Sequence, residues 1–139
     1  MTIDTKAFAD VHERLREKTA ELGAAAERLQ SLDASERDAT CDEIERWLRT
    51  DVMPHMLLDD WLLYPEAASR FGDPLIGVSL SYDHVAIRWW ISELEAADRS
   101  DVARLRELLY GLSALIRVHI WKENELLLSV IAGRTPLAA

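Results

Sequence analysis

A chain of 139 residues with 49% apolar side chains is sized for one domain around a single developed core. Its formal charge of -9 argues against nucleic acid, which is gripped by clustered Lys and Arg, and no stretch approaches the roughly 18 to 20 apolar residues of a membrane span. Cys41 is the one cysteine, which excludes an intramolecular disulfide framework and a thiolate-built metal site, and an N-terminus without the basic-then-apolar layout of a secretion signal predicts a cytoplasmic protein.

Helical periodicity fills four segments, divided by glycine, proline and short polar runs. The first runs from about Asp4 to Gln30 on the ladder Phe8, His12, Leu15, Thr19, Leu22, Ala26 and Leu29. Ser31, Asp33 and Ser35 are N-cap candidates for the second, which covers about 35–70. Its ladder is Ile44, Leu48, Val52, His55, Asp59 and Leu62, and Pro54 predicts a kink just before His55. "FGDP" at 71–74 stops that segment, and Pro74 suits the first position of the third, which reaches about Ala97 through Leu80, His84, Ile87, Ile91 and Leu94. "ADRSD" makes the next turn, with Ser100 or Asp101 to cap the fourth segment. That one continues through Leu105, Leu108, Leu112, Leu115, Ile116, His119, Glu123, Leu126 and Val130 to about Ala132. Short turns between amphipathic helices predict an all-α, up-down-up-down four-helix bundle over 1–132, followed by a flexible tail at 133–139.

The four histidines of the chain, His12, His55, His84 and His119, fall one per segment and all on the apolar ladders. Asp59 follows His55 by four and Glu123 follows His119 by four, so each pair projects inward one turn apart. A buried, unpaired carboxylate costs several kcal/mol or shifts its pKa until it is neutral, and a divalent cation removes that cost. Inward Glu and His on facing helices are one way in which bundles hold two irons.

The stretches "DVHERLREKTAEL", "MPHMLLDDWLLYP", "YDHVAIRWW" and "VHIWKENELLL" resemble, in order, the four motifs of the hemerythrin-like, or HHE cation-binding, family. The likeness covers nearly the whole chain. It implies His12, His55, Asp59, His84, His119 and Glu123 as metal ligands, with the two carboxylates bridging a non-haem di-iron centre. It also implies a small oxidant as partner: dioxygen bound reversibly, or peroxide or nitric oxide. Imidazole and carboxylate suit zinc or a single metal as well, and the resemblance is what selects iron. The alternative is a metal-binding bundle that serves iron sensing or stability without redox turnover.

Two positions depart from the family pattern. Asp59 stands where glutamate is usual, one methylene shorter, and the neighbouring Asp60 points about 100° away. Arg88 stands where oxygen carriers have a further histidine, and arginine cannot ligate a cation. Water, Tyr64 or Tyr82 could fill the gap, or one metal alone binds tightly. Arg88 is also placed to stabilise a bound anion such as peroxide. Of the five tryptophans, Trp89 and Trp90 are adjacent and cannot share a helix face, so one is expected at the surface, where it could pair two copies into a homodimer.

Overall fold

The structure, a computed structural model, describes residues 3–133, and the predicted tail beyond Gly133 lies outside the described residues. Helix α1 (Thr5–Arg28) starts at Asp4, whose carboxylate accepts the Lys6 and Ala7 amides at 3.0 Å, and closes in a 3-10 turn at Leu29–Ser31. Helix α2 covers 34–71 and opens on a capping box. Asp33 accepts the Glu36 amide and Glu36 accepts the Asp33 amide, each at 2.9 Å, which satisfies two otherwise orphaned donors. Helix α3 (Val78–Ala96) and helix α4, over 102–131, complete the bundle, with Asp101 capping α4 through the Arg104 amide. No strand is present among the described residues, and the four-helix, all-α architecture agrees with the sequence reading.

The third helix begins later than expected. Residues 74–77 form turns in which the Leu75 amide binds Asp73 Oδ1 at 2.9 Å, and Pro74 precedes the helix instead of opening it. Gly77 lies so close to α2 that a Cβ there would come within 2.6 Å of Tyr64 Cβ, so the turn is packed onto the tyrosine. Gly72, at φ 66°, ends α2 in the left-handed region that glycine enters without steric cost.

Helices α2 and α4 are continuous but not uniform. They contain π-turns at Leu48–Val52, Asp59–Leu63 and Glu123–Leu128. Two of these immediately precede the α-helical stretches begun by Met53-Pro54 and Tyr64-Pro65. Proline lacks an amide and crowds the preceding turn, and a widened turn absorbs both defects without ending the helix. The kink predicted at Pro54 therefore takes the form of a π-turn. The third has no proline; Ser129 Oγ donates to the Asn124 carbonyl at 2.8 Å across it.

Each π-turn inserts about one residue and turns the following face by about 100°. This corrects the ladders at their far ends. After Asp59 the fully buried residue is Leu63, with Leu62 only partly covered, and after Glu123 it is Leu127, while Leu126 is 49% exposed.

The core forms two apolar layers. The larger joins Leu15 and Leu22 of α1 and Leu29 of the 3-10 turn to Leu48, Val52, Ile87, Ile91, Leu94, Leu108 and Leu112, with Cys41 buried among them. The smaller, at the other end, holds Phe8, Leu63, Tyr64, Leu80, Leu127 and Leu128. Trp90 packs on the larger layer, where a Cβ on Gly111 would fall 2.5 Å from its ring, and Trp89 is the exposed member of the pair. Between the two layers lies a polar one.

Candidate metal centre

All six sequence-predicted ligands meet in that polar layer. His12 comes from α1, His55 and Asp59 from α2, His84 from α3, and His119 and Glu123 from α4; each is fully or almost fully buried. Their donor atoms form two overlapping groups: His12, His55, Asp59 and Glu123, and Asp59, His84, His119 and Glu123. Both carboxylates belong to both groups. Within them His12 Nε2 is 3.3 Å from Glu123 Oε2, His55 Nε2 is 3.3 Å from Asp59 Oδ2, and His119 Nε2 is 3.4 Å from Glu123 Oε1. Asp59 Oδ2 also reaches His84 Nε2 at 4.0 Å, so the shorter side chain still spans both histidine pairs. Both carboxylates open π-turns, the local geometry that sets them at this level.

The electrostatics of the layer call for a cation. Six buried side-chain atoms lack a hydrogen-bond partner among the described residues, and five are here: His12 Nε2, His55 Nε2, both oxygens of Asp59, and Glu123 Oε2. Buried polar atoms are nearly always satisfied, so a cluster of orphans on two groups of donors fits a site that holds a cation. A second sign is the 2.9 Å separation of His84 Nε2 and His119 Nε2. Each ring has its Nδ1 turned to a carboxylate, so two lone pairs face one another unless a proton or metal sits between them.

Protonation follows the same logic. Burial, with the Glu123 charge, pushes the Asp59 carboxyl far above the carboxylate range. Burial acts on Glu123 too, but hydrogen bonds and charge from His119, His12 and Tyr64 outweigh it and hold that carboxyl below its ordinary value. Burial and the charge of His12 depress His55 to about 4, and burial and His119 depress His84. For His119 burial is outweighed by Glu123 and Asp83, which raise it. Metals are ligated by neutral imidazoles and ionised carboxylates, so an ion held here would displace the Asp59 proton.

Tyr64, Tyr82 and Arg88, the residues named for the open position, have different surroundings. Tyr82 is 70% exposed, whereas Tyr64 is buried. The Tyr64 hydroxyl donates to Glu123 Oε1 at 2.6 Å and lies 3.1 Å from His84 Nε2. Arg88 is part-exposed and reaches Asp60 Oδ2 at 3.9 Å. Asp60, pointing away from the ligand atoms as its helical position demands, accepts from His84 Nδ1 at 3.0 Å and from Ser81 Oγ at 2.9 Å. His12 Nδ1 is 2.7 Å from Asn124 Oδ1, and His119 Nδ1 is 3.3 Å from Asp83 Oδ2. Sequence reading did not reach Asn124 or Asp83, because they sit off the apolar ladders.

A four-helix bundle with two His pairs sharing two buried carboxylates is a metal-binding helical domain. Residues 4–131 match the family model described as hemerythrin HHE cation binding domain, and the chain belongs to that family. Comparison with curated proteins and with solved structures found no match. No helix among the described residues is long and apolar enough to cross a membrane.

Proposed function

We propose that the protein is a non-haem di-iron protein that binds or reacts with dioxygen, peroxide or nitric oxide, with His12, His55, Asp59, His84, His119 and Glu123 as ligands. The carrying observation is the pair of four-residue donor groups that share Asp59 and Glu123. His12 and His55 would hold one ion and His84 and His119 another, with Asp59 and Glu123 available to both. Bound there, iron supplies the electrons and open coordination positions for reaction with a small oxidant.

The chain's own residues shape that chemistry. The apolar layers on either side exclude bulk water from the centre, which strengthens every electrostatic contact inside it. Tyr64 offers a hydroxyl at the edge of the His84 group and, with no cation present, burial and Glu123 keep it protonated as a hydrogen-bond donor. Its hydroxyl, 3.1 Å from His84 Nε2, would complete or hydrogen-bond that half. Arg88 acts at one remove, through Asp60.

Metal analysis of protein purified under iron supplementation, with absorption spectra before and after oxygen or peroxide, tests the reading. About two irons per chain and a new charge-transfer band support it. One zinc and a silent spectrum would support a bundle whose ion serves stability or sensing.

A further inference from the structure

The two halves of the polar layer share their carboxylates but differ in what stands behind the histidines. Behind His84 is Asp60, at 3.0 Å from Nδ1, itself held by Ser81 and faced by Arg88. Behind His119 is Asp83, at 3.3 Å from Nδ1, and Lys122 Nζ grips both Asp83 oxygens at 2.8 and 3.1 Å. Each of these imidazoles thus donates to a carboxylate that is itself held, Asp60 by the Ser81 hydroxyl and Asp83 by the Lys122 ammonium. Behind His12 there is only the neutral amide oxygen of Asn124. His55 has no hydrogen bond from Nδ1 among the described residues and is the ligand with most solvent contact.

A carboxylate acceptor on the far nitrogen fixes the ring's tautomer and orientation and makes the near nitrogen a stronger electron donor, effects that change metal affinity by about 10- to 100-fold. An amide does this less, and an unbraced ring pays its own ordering entropy on binding. The Tyr64 hydroxyl adds a further oxygen to the braced half alone.

From this asymmetry we infer that Asp60 and Asp83 are positioning residues that make the His84/His119 half the tight, first-filled metal position, the His12/His55 half filling second and more weakly. The inference rests on the proposed metal centre and adds an order of loading to it. One chain would then exist in three states, empty, singly and doubly loaded, across a range of metal concentration. The singly loaded form would keep His12 and His55 free.

An anaerobic titration with Co(II), followed by calorimetry and by paramagnetically shifted proton resonances of the histidine rings, tests it. The expected result is two steps about tenfold or more apart, the first equivalent shifting the rings of His84 and His119. Asp83→Asn and Asp60→Asn keep side-chain shape and should each weaken the first step by about tenfold, drawing the two steps together. Asn124→Ala should weaken only the second. Two equal steps, or first-equivalent shifts on His12 and His55, would overturn the order while leaving the metal centre standing. Absence of any binding by the folded wild-type chain would remove both.

Discussion

From Leu94 up to Ile116, the bundle interior is mainly apolar, and its α1, α3 and α4 segments are regular α-helix; around Asp59 and Glu123 it is polar, partly π-helical, and rich in unsatisfied atoms. The same four helices build both regions, so the difference lies in the task. The apolar region gains from every side chain it buries. The polar region places two carboxylates and four imidazoles where water cannot reach them, and its neighbours hold them there against their preference for solvent. Local departure from the rules that stabilise the rest of a fold is the expected mark of a functional layer.

The sharpest way to break this contrast is to remove the ion. Chelation should cost the loaded protein about 4 kcal/mol if the metal had stood at a thousandfold excess over its Kd, a Tm fall on the order of 10 °C, whereas a protein stabilised by its apolar layers alone would not respond. Scanning calorimetry with and without chelator measures it. Next comes Leu108→Ala in the aliphatic region, where the side chain is completely buried. It should cost about 2 to 5 kcal/mol in loaded and metal-free protein alike and leave metal stoichiometry unchanged.

A pH series separates the regions more finely. With no cation, the Asp59 carboxyl is protonated when folded and ionised when unfolded, so its contribution is present at low pH and lost as pH rises through the raised folded value. Metal-free protein should therefore lose stability from about pH 7 to about pH 9, while His55 stays neutral in both states. Metal-loaded protein should move the other way, because ligation displaces the protons. Chemical denaturation at each pH checks the crossing. The smallest effect belongs far from the centre: Asp33→Ala removes one side of the α2 capping box and should cost about 1 kcal/mol without touching metal content.

These regions were not equally legible in the sequence. Heptad-like spacing marks the aliphatic residues well, because α1 and α3 keep one period and one buried face, and every predicted α1 and α3 ladder residue is buried. The six candidate ligands stand out for the same reason, being polar residues on an apolar stripe. Legibility fails one step past Asp59 and Glu123, where a π-turn shifts the face and Leu63 and Leu127 replace Leu62 and Leu126. Proline at 54 and 65 hints at two of the three turns; nothing in residue type announces the third. Asp60, Asp83 and Asn124 were hidden differently. They lie on partly exposed faces, where charged and polar residues are ordinary, and only the position of a histidine ring behind them gives them meaning.

The π-turns at Asp59 and Glu123 also change how the chain can be edited. Each is a one-residue surplus in an otherwise regular coil, so the apolar stripes on its two sides are out of phase by a single residue. Removing one residue between 124 and 126 would rewind α4 into a plain helix and rejoin the two stripes, with Leu127 still facing inward. The polar layer is thus a splice between two helical registers, and the length of the chain through it shapes the centre as much as the six side chains it brings together.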